Sequence, residues 1–90
     1  MEKNSRLEAL CKQREEEFEK SRNLTERYEN GAISKEKYDR EYRGIETTVD
    51  TLGKEIEDEI KNKGLSEQEY HEVSERWKEE YKQEQQERGR

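Results

Sequence analysis

The clearest pattern in the chain runs from Ile33 to Ile60. Tyr38, Tyr42, Ile45, Val49, Leu52 and Ile56 recur at alternating steps of four and three. Every a and d position of a heptad from 38 to 56 is therefore apolar or aromatic, which is the seam of a coiled coil or narrow helical bundle. The pattern predicts a helix over 34–62, about 43 Å long at 1.5 Å per residue. Upstream, Leu7, Leu10, Cys11, Phe18, Leu24 and Tyr28 fall on one side of a first helix over 2–29, with Arg14 and Glu17 interrupting the stripe. Downstream, Tyr70, Val73, Trp77 and Tyr81 make a mostly aromatic stripe on a third helix over 66–87. No apolar residue follows Tyr81, so the tail 82–90 is expected to fray.

Two turns separate these helices. Asn30-Gly31 supplies the left-handed residue that closes a helix. Ser34 is then a good N-cap, with Ile33 and Tyr38 placed to form a hydrophobic staple. So short a connection returns the second helix antiparallel to the first. The device recurs at Lys63-Gly64, where Leu65 precedes an N-cap Ser66, Glu69 completes a capping box and Tyr70 stands in the place of Tyr38. Two copies of a common turn explain this better than a tandem repeat does. Glu8 with Lys12, and Glu16 with Lys20, are favourable i, i+4 pairs on the first helix.

One stretch resists the helical pattern. Residues 45–52 are rich in β-branched side chains and lie between Gly44 and Gly53, each worth about 1 kcal/mol against alanine in a helix interior. A lone strand there would have nothing to pair with, so the helix stands, with a bend or a close helix–helix approach expected at the glycines. The fold class is accordingly all-α: an antiparallel helical hairpin with the third helix folded back, a three-helix coiled-coil-like bundle forming one domain over 1–90.

Composition agrees with thin helices. Of the 90 residues, 24% are hydrophobic and 49% charged, too little apolar surface to fill a broad globular core. Glu, Lys, Gln and Arg are strong helix formers and the chain has no proline. A net charge of −6 disfavours direct binding to nucleic acid, where basic groups must neutralise phosphates. It favours a protein partner with a basic surface. Mixed charge on exposed faces also serves solubility alone. Cys11 is the one cysteine, which excludes an internal disulfide. With no signal-like N-terminus it points to a reducing, cytoplasmic setting. No run approaches the roughly 18 apolar residues of a membrane span, and Met-Glu-Lys-Asn-Ser is not a myristoylation signal.

Candidate chemistry is sparse. Glu15-Glu16-Glu17 and the group Glu55, Glu57, Asp58, Glu59 are the densest carboxylates, yet neither has the apolar neighbours that make a cleft and shift a pKa for acid–base work. His71-Glu72 lacks the second histidine of a helical zinc site, and Gln68 stands where a di-iron site needs Glu. Cys11 has no histidine nearby in sequence and no helix N-terminus to activate it, so it reads as an inert thiol. No catalytic residue, metal site or cofactor is expected, and the chain does not read as an enzyme.

Residues 23–60, centred on Tyr28-Glu29-Asn30-Gly31-Ala32-Ile33-Ser34-Lys35-Glu36-Lys37-Tyr38, resemble the helical hairpin inserted in the C-terminal region of large serine recombinases. Those proteins carry a similar Tyr-x-x-Gly-x-Ile-Ser-x-x-x-Tyr turn between long helices. The catalytic domain and zinc-ribbon cysteines of that family have no counterpart here. The resemblance implies an interaction module of phage or mobile-element origin, without recombinase activity.

The function expected is therefore a non-catalytic protein–protein interaction module, for example an inhibitor or modulator of a host nucleic-acid-processing protein. Its acidic helical surface would mimic nucleic acid. The candidate partner-binding residues are Glu55, Glu57, Asp58, Glu59, Trp77 and Tyr81, the aromatic pair because Trp and Tyr dominate binding hot spots and these two adjoin the polar tail. The alternative is a homodimeric coiled-coil scaffold or spacer, in which the seam Tyr38, Tyr42, Ile45, Val49, Leu52 and Ile56 pairs with its own copy.

Overall fold

A computed structural model of the chain describes residues 5–88. Three α-helices occupy nearly all of them: α1 (Ser5–Glu29), α2 (Lys35–Lys63) and α3 (Glu67–Arg88). The predicted first residues of α1, 2–4, and the end of the tail, 89–90, lie outside the described residues. α3 continues past Tyr81 as helix to Arg88.

Both turns form as their residues dictate. Gly31 and Gly64 have φ of 76° and 60°, and each is followed by the paired backbone bonds of a Schellman ending. At the first, Ala32 N–H donates to Arg27 O at 2.8 Å and Gly31 N–H to Tyr28 O at 3.0 Å. At the second, Leu65 N–H reaches Ile60 O and Gly64 N–H reaches Lys61 O, both at 3.1 Å. Ser34 Oγ accepts from Lys37 N–H at 3.2 Å. Ser66 and Glu69 close a full capping box, with bonds of 3.1 and 3.2 Å.

α2 is one uninterrupted helix through the β-branched stretch. Its threonines are accommodated by donating to the carbonyl four residues back: Thr47 to Arg43, Thr48 to Gly44 and Thr51 to Thr47, each at 3.0 Å. The close helix–helix approach expected at the glycines is not there. A Cβ placed on Gly44 or Gly53 would meet no atom within 4 Å, because α1 packs on the seam side of α2 and α3 packs elsewhere.

α1 is the common element, packed against both other helices, while α2 and α3 meet each other far less. α2 returns antiparallel to α1. α3 then runs parallel to α1, since Glu8 pairs with Arg76 and Lys12 with Glu80 and Glu84: partners advance together along both helices. The molecule measures 45 × 32 × 19 Å.

The core is gathered at one end of the hairpin. Leu7, Leu10 and Cys11 of α1, Leu52 and Ile56 of α2, and Val73, Trp77 and Tyr81 of α3 form one buried cluster, with Ile60, Leu65 and Tyr70 packed against it. The far end, near the α1–α2 turn, is a two-helix structure. There Tyr38 stacks on Tyr28 at 4.7 Å and 17°, Thr25 Oγ1 and Tyr38 Oη lie 3.1 Å apart, and Leu24 is buried.

Candidate interaction surface

The sequence-predicted site residues divide into three groups. Trp77 and Tyr81 are each only 7% exposed. They do not form a surface patch, which corrects the expectation that they adjoin a partner. Their rings meet edge to face at 6.3 Å and 73°, and with Val73 they are the side chains by which α3 attaches to the hairpin. In a chain with so few aliphatic groups, the aromatic area is needed inside.

Both aromatic side chains carry a polar atom into that interior. Among the described residues, neither Trp77 Nε1 nor Tyr81 Oη has a hydrogen-bond partner. Burial first, then Glu19, and then the charges of Glu16 and Glu15 push the Tyr81 phenol up to about 12.

The acidic group on α2 is heterogeneous. Glu59 is drawn inward, its side chain 12% exposed between Lys63 at 3.2 Å and Arg6 at 3.7 Å, so it is a brace between α1 and α2 rather than a free contact. Glu55 is half-buried, whereas Glu57 and Asp58 are exposed. Among the described residues, Glu55, Glu57 and Asp58 make no ion pair. Asp39, Glu46, Asp50 and Glu57 form a longer acidic stripe that the density of residues 55–59 obscured. They sit at i, i+7, i+11 and i+18, within about 40° of one another on a helix turning about 100° per residue.

The seam residues are turned toward α1 in the same chain. Leu52 and Ile56 are buried there and are not available to a second copy. Tyr38, Tyr42, Ile45 and Val49 are only half covered, because α3 seats its stripe over the other end of the hairpin. Opposite them on α1 the interruptions matter: Arg14 and Glu17 take up core-facing places, and Phe18 is 38% exposed. Phe18, Ser21, Tyr42, Ile45, Glu46, Val49 and Asp50 line a shallow groove of about 190 Å³ between α1 and α2.

The most consequential polar contact was hidden from sequence. Glu8 is 5% exposed and is paired with Arg76, 68 residues away. Lys12, expected to pair with Glu8, bonds instead to Glu80 at 2.9 Å and Glu84 at 3.3 Å, and the Glu80 bond holds its ammonium above the usual range. Lys20 takes Glu17 at 2.8 Å rather than Glu16. A helix pairing table sees only i, i+3 and i+4 neighbours, whereas α3 brings carboxylates and a guanidinium onto α1 from across the chain.

Burial raises the Cys11 thiol, with Arg14 and a hydrogen bond to Tyr70 acting against it; a protonated thiol 1% exposed is a packing group. His71 is exposed and stands 4.0 Å from Glu75. Among the described residues, no three His, Cys, Asp or Glu side chains gather to hold a metal ion, and no helix is long and apolar enough to cross a membrane. No known protein family, curated protein or solved structure matches the chain.

Proposed function

We propose that this chain is a non-catalytic interaction protein that presents the acidic flank of α2 to a protein partner with a basic surface. The observation that carries the reading is the stripe Asp39, Glu46, Asp50 and Glu57. Among the described residues none of these carboxylates has an ion-pair partner, although basic side chains elsewhere are drawn into pairs. A row of carboxylates along one flank of a helix steers and orients a cationic partner. A groove built to hold nucleic acid is one such surface. Inhibition or modulation of a nucleic-acid-processing protein by mimicry is therefore part of the reading, as is the phage or mobile-element origin that the recombinase-like turn implies.

The test is direct. A partner recovered with the intact chain should bind less tightly as ionic strength rises. It should be lost when Asp50, Glu57 and Asp58 are changed to Lys. A partner whose affinity ignores both salt and charge reversal would refute the acidic-surface reading. The scaffold alternative draws support from one observation, the half-covered Tyr42, Ile45 and Val49. A dimer that persists on dilution and dissociates with Val49→Ser would establish it.

A further inference from the structure

The groove beside Phe18 continues the packing surface of the core. Phe18 follows Leu7 and Cys11 on one stripe of α1, and Tyr42 and Val49 continue the stripe of Ile56 on α2. Over the first part of this surface α3 has docked Val73, Trp77 and Tyr81. Its apolar residues end at Tyr81, and no α3 residue lines the groove formed by the next stretch of the same floor. Phe18 is left 38% exposed, the one large hydrophobic side chain so placed among the described residues. Tyr42, Ile45 and Val49 are half covered.

The charges around this floor distinguish between occupants. The charged residues lining it are Glu46 and Asp50, both acidic, and Asp39 and Glu57 extend their stripe along the same flank of α2. Among the described residues neither Glu46 nor Asp50 has an ion-pair partner. A second copy docked by a two-fold axis through the groove would bring Glu46 and Asp50 toward their own equivalents, and like charges facing each other oppose association. A helix with Lys or Arg beside its apolar stripe meets both requirements. Its stripe covers Phe18, Tyr42 and Val49, and its flank neutralises Glu46 and Asp50.

We propose that the groove formed by Phe18, Tyr42, Ile45 and Val49 is a docking site for one basic amphipathic helix of a partner protein, which lies on the hairpin as α3 does and is held at its edge by Glu46 and Asp50. This rests on the acidic-surface reading and assigns it a place and a ligand class. The seated helix presents apolar residues at i, i+3 or i+4 and i+7, matching the two helical turns between Tyr42 and Val49.

The probe is a labelled two-heptad peptide, capped at both ends, with leucine at a and d and lysine at the flanking positions. Its twin carries glutamate in place of lysine. Binding to the full chain is followed by fluorescence anisotropy at physiological ionic strength, with circular dichroism checking that each variant is folded. The lysine peptide should bind one to one and in preference to its twin. Phe18→Ser with Val49→Ser should weaken it by about tenfold or more, as loss of an apolar anchor does. Glu46→Lys with Asp50→Lys should transfer the preference to the glutamate peptide. Binding that ignores Phe18 and Val49 but is lost with Glu57→Lys and Asp58→Lys would overturn the groove assignment while the acidic-surface reading survives. No preference between the peptides would overturn both. A chain that sediments alone as a dimer, and dissociates with Val49→Ser, would overturn the assignment in favour of a second copy.

Discussion

Gly44 and Gly53 invite a perturbation whose sign depends on the packing around α2. Both lie in the interior of α2, and a Cβ on either would meet no atom within 4 Å. Changing them to alanine therefore introduces no clash and restrains a backbone that is too free when unfolded. Each substitution should stabilise by about 1 kcal/mol. The two sites are about 13 Å apart along the helix axis, far enough for their effects to add. The double variant should gain about 2 kcal/mol. With an unfolding entropy of about 2.1 cal/mol/K per residue, that raises Tm by about 10 °C for a chain of this size. Circular dichroism at the helical minimum, by heat and by urea, measures it: the urea midpoint should rise with an unchanged slope. A flat or lowered Tm would refute the reasoning. It would mean that in solution another helix, from a second copy, comes close to α2 where the isolated chain leaves open space.

Gly31 and Gly64 should respond in the opposite sense. Their φ values of 76° and 60° put an alanine in the left-handed region, costing about 1–2 kcal/mol, so each Gly→Ala variant should melt below wild type. The Tyr81 phenol is raised from 10.0 to about 12 by burial first and Glu19 second. The folded state therefore holds that proton more tightly than the unfolded one. This contribution is fully present below pH 10 and is lost as pH climbs to about 12. Tyr81→Phe should show a shallower loss of Tm than wild type over that window, and identical slopes would reject the assignment. Glu8 is buried against Arg76, whose side chain is 45% exposed. A double-mutant cycle with Glu8→Gln and Arg76→Met should give a coupling of about 1 kcal/mol, between a surface pair and a fully buried one. Zero coupling would show that the Glu8–Arg76 pair contributes nothing to holding α3 on α1.

Local structure was legible in the sequence because its causes are local. Gly31, Ser34, Gly64, Ser66 and Glu69 each act on backbone groups within a few residues. The turns and helix ends accordingly fall within a residue or two of expectation wherever they are described. The heptad spacing of Tyr38 to Ile56 likewise specified a helix with one buried stripe, and it overrode the β-branched run because no partner strand exists for it. The α1–α2 hairpin follows from the short connection. What the seam touched did not follow, since a heptad stripe reads the same whether it packs within the chain or across a dimer.

Tertiary structure decided the rest, and chiefly through the placement of α3. Running beside α1, it buried Trp77 and Tyr81, which the sequence had suggested as partner contacts. It brought Arg76 to Glu8, and Glu80 with Glu84 to Lys12, pairings that no periodicity encodes because the partners lie on different helices. Its apolar stripe stops at Tyr81, which leaves Phe18, Tyr42, Ile45 and Val49 half covered and the carboxylates of Glu46 and Asp50 beside them. A repeat in the sequence fixes which face of a helix is apolar. Which part of that face is covered depends on where the next helix crosses, and that is set by contacts tens of residues apart.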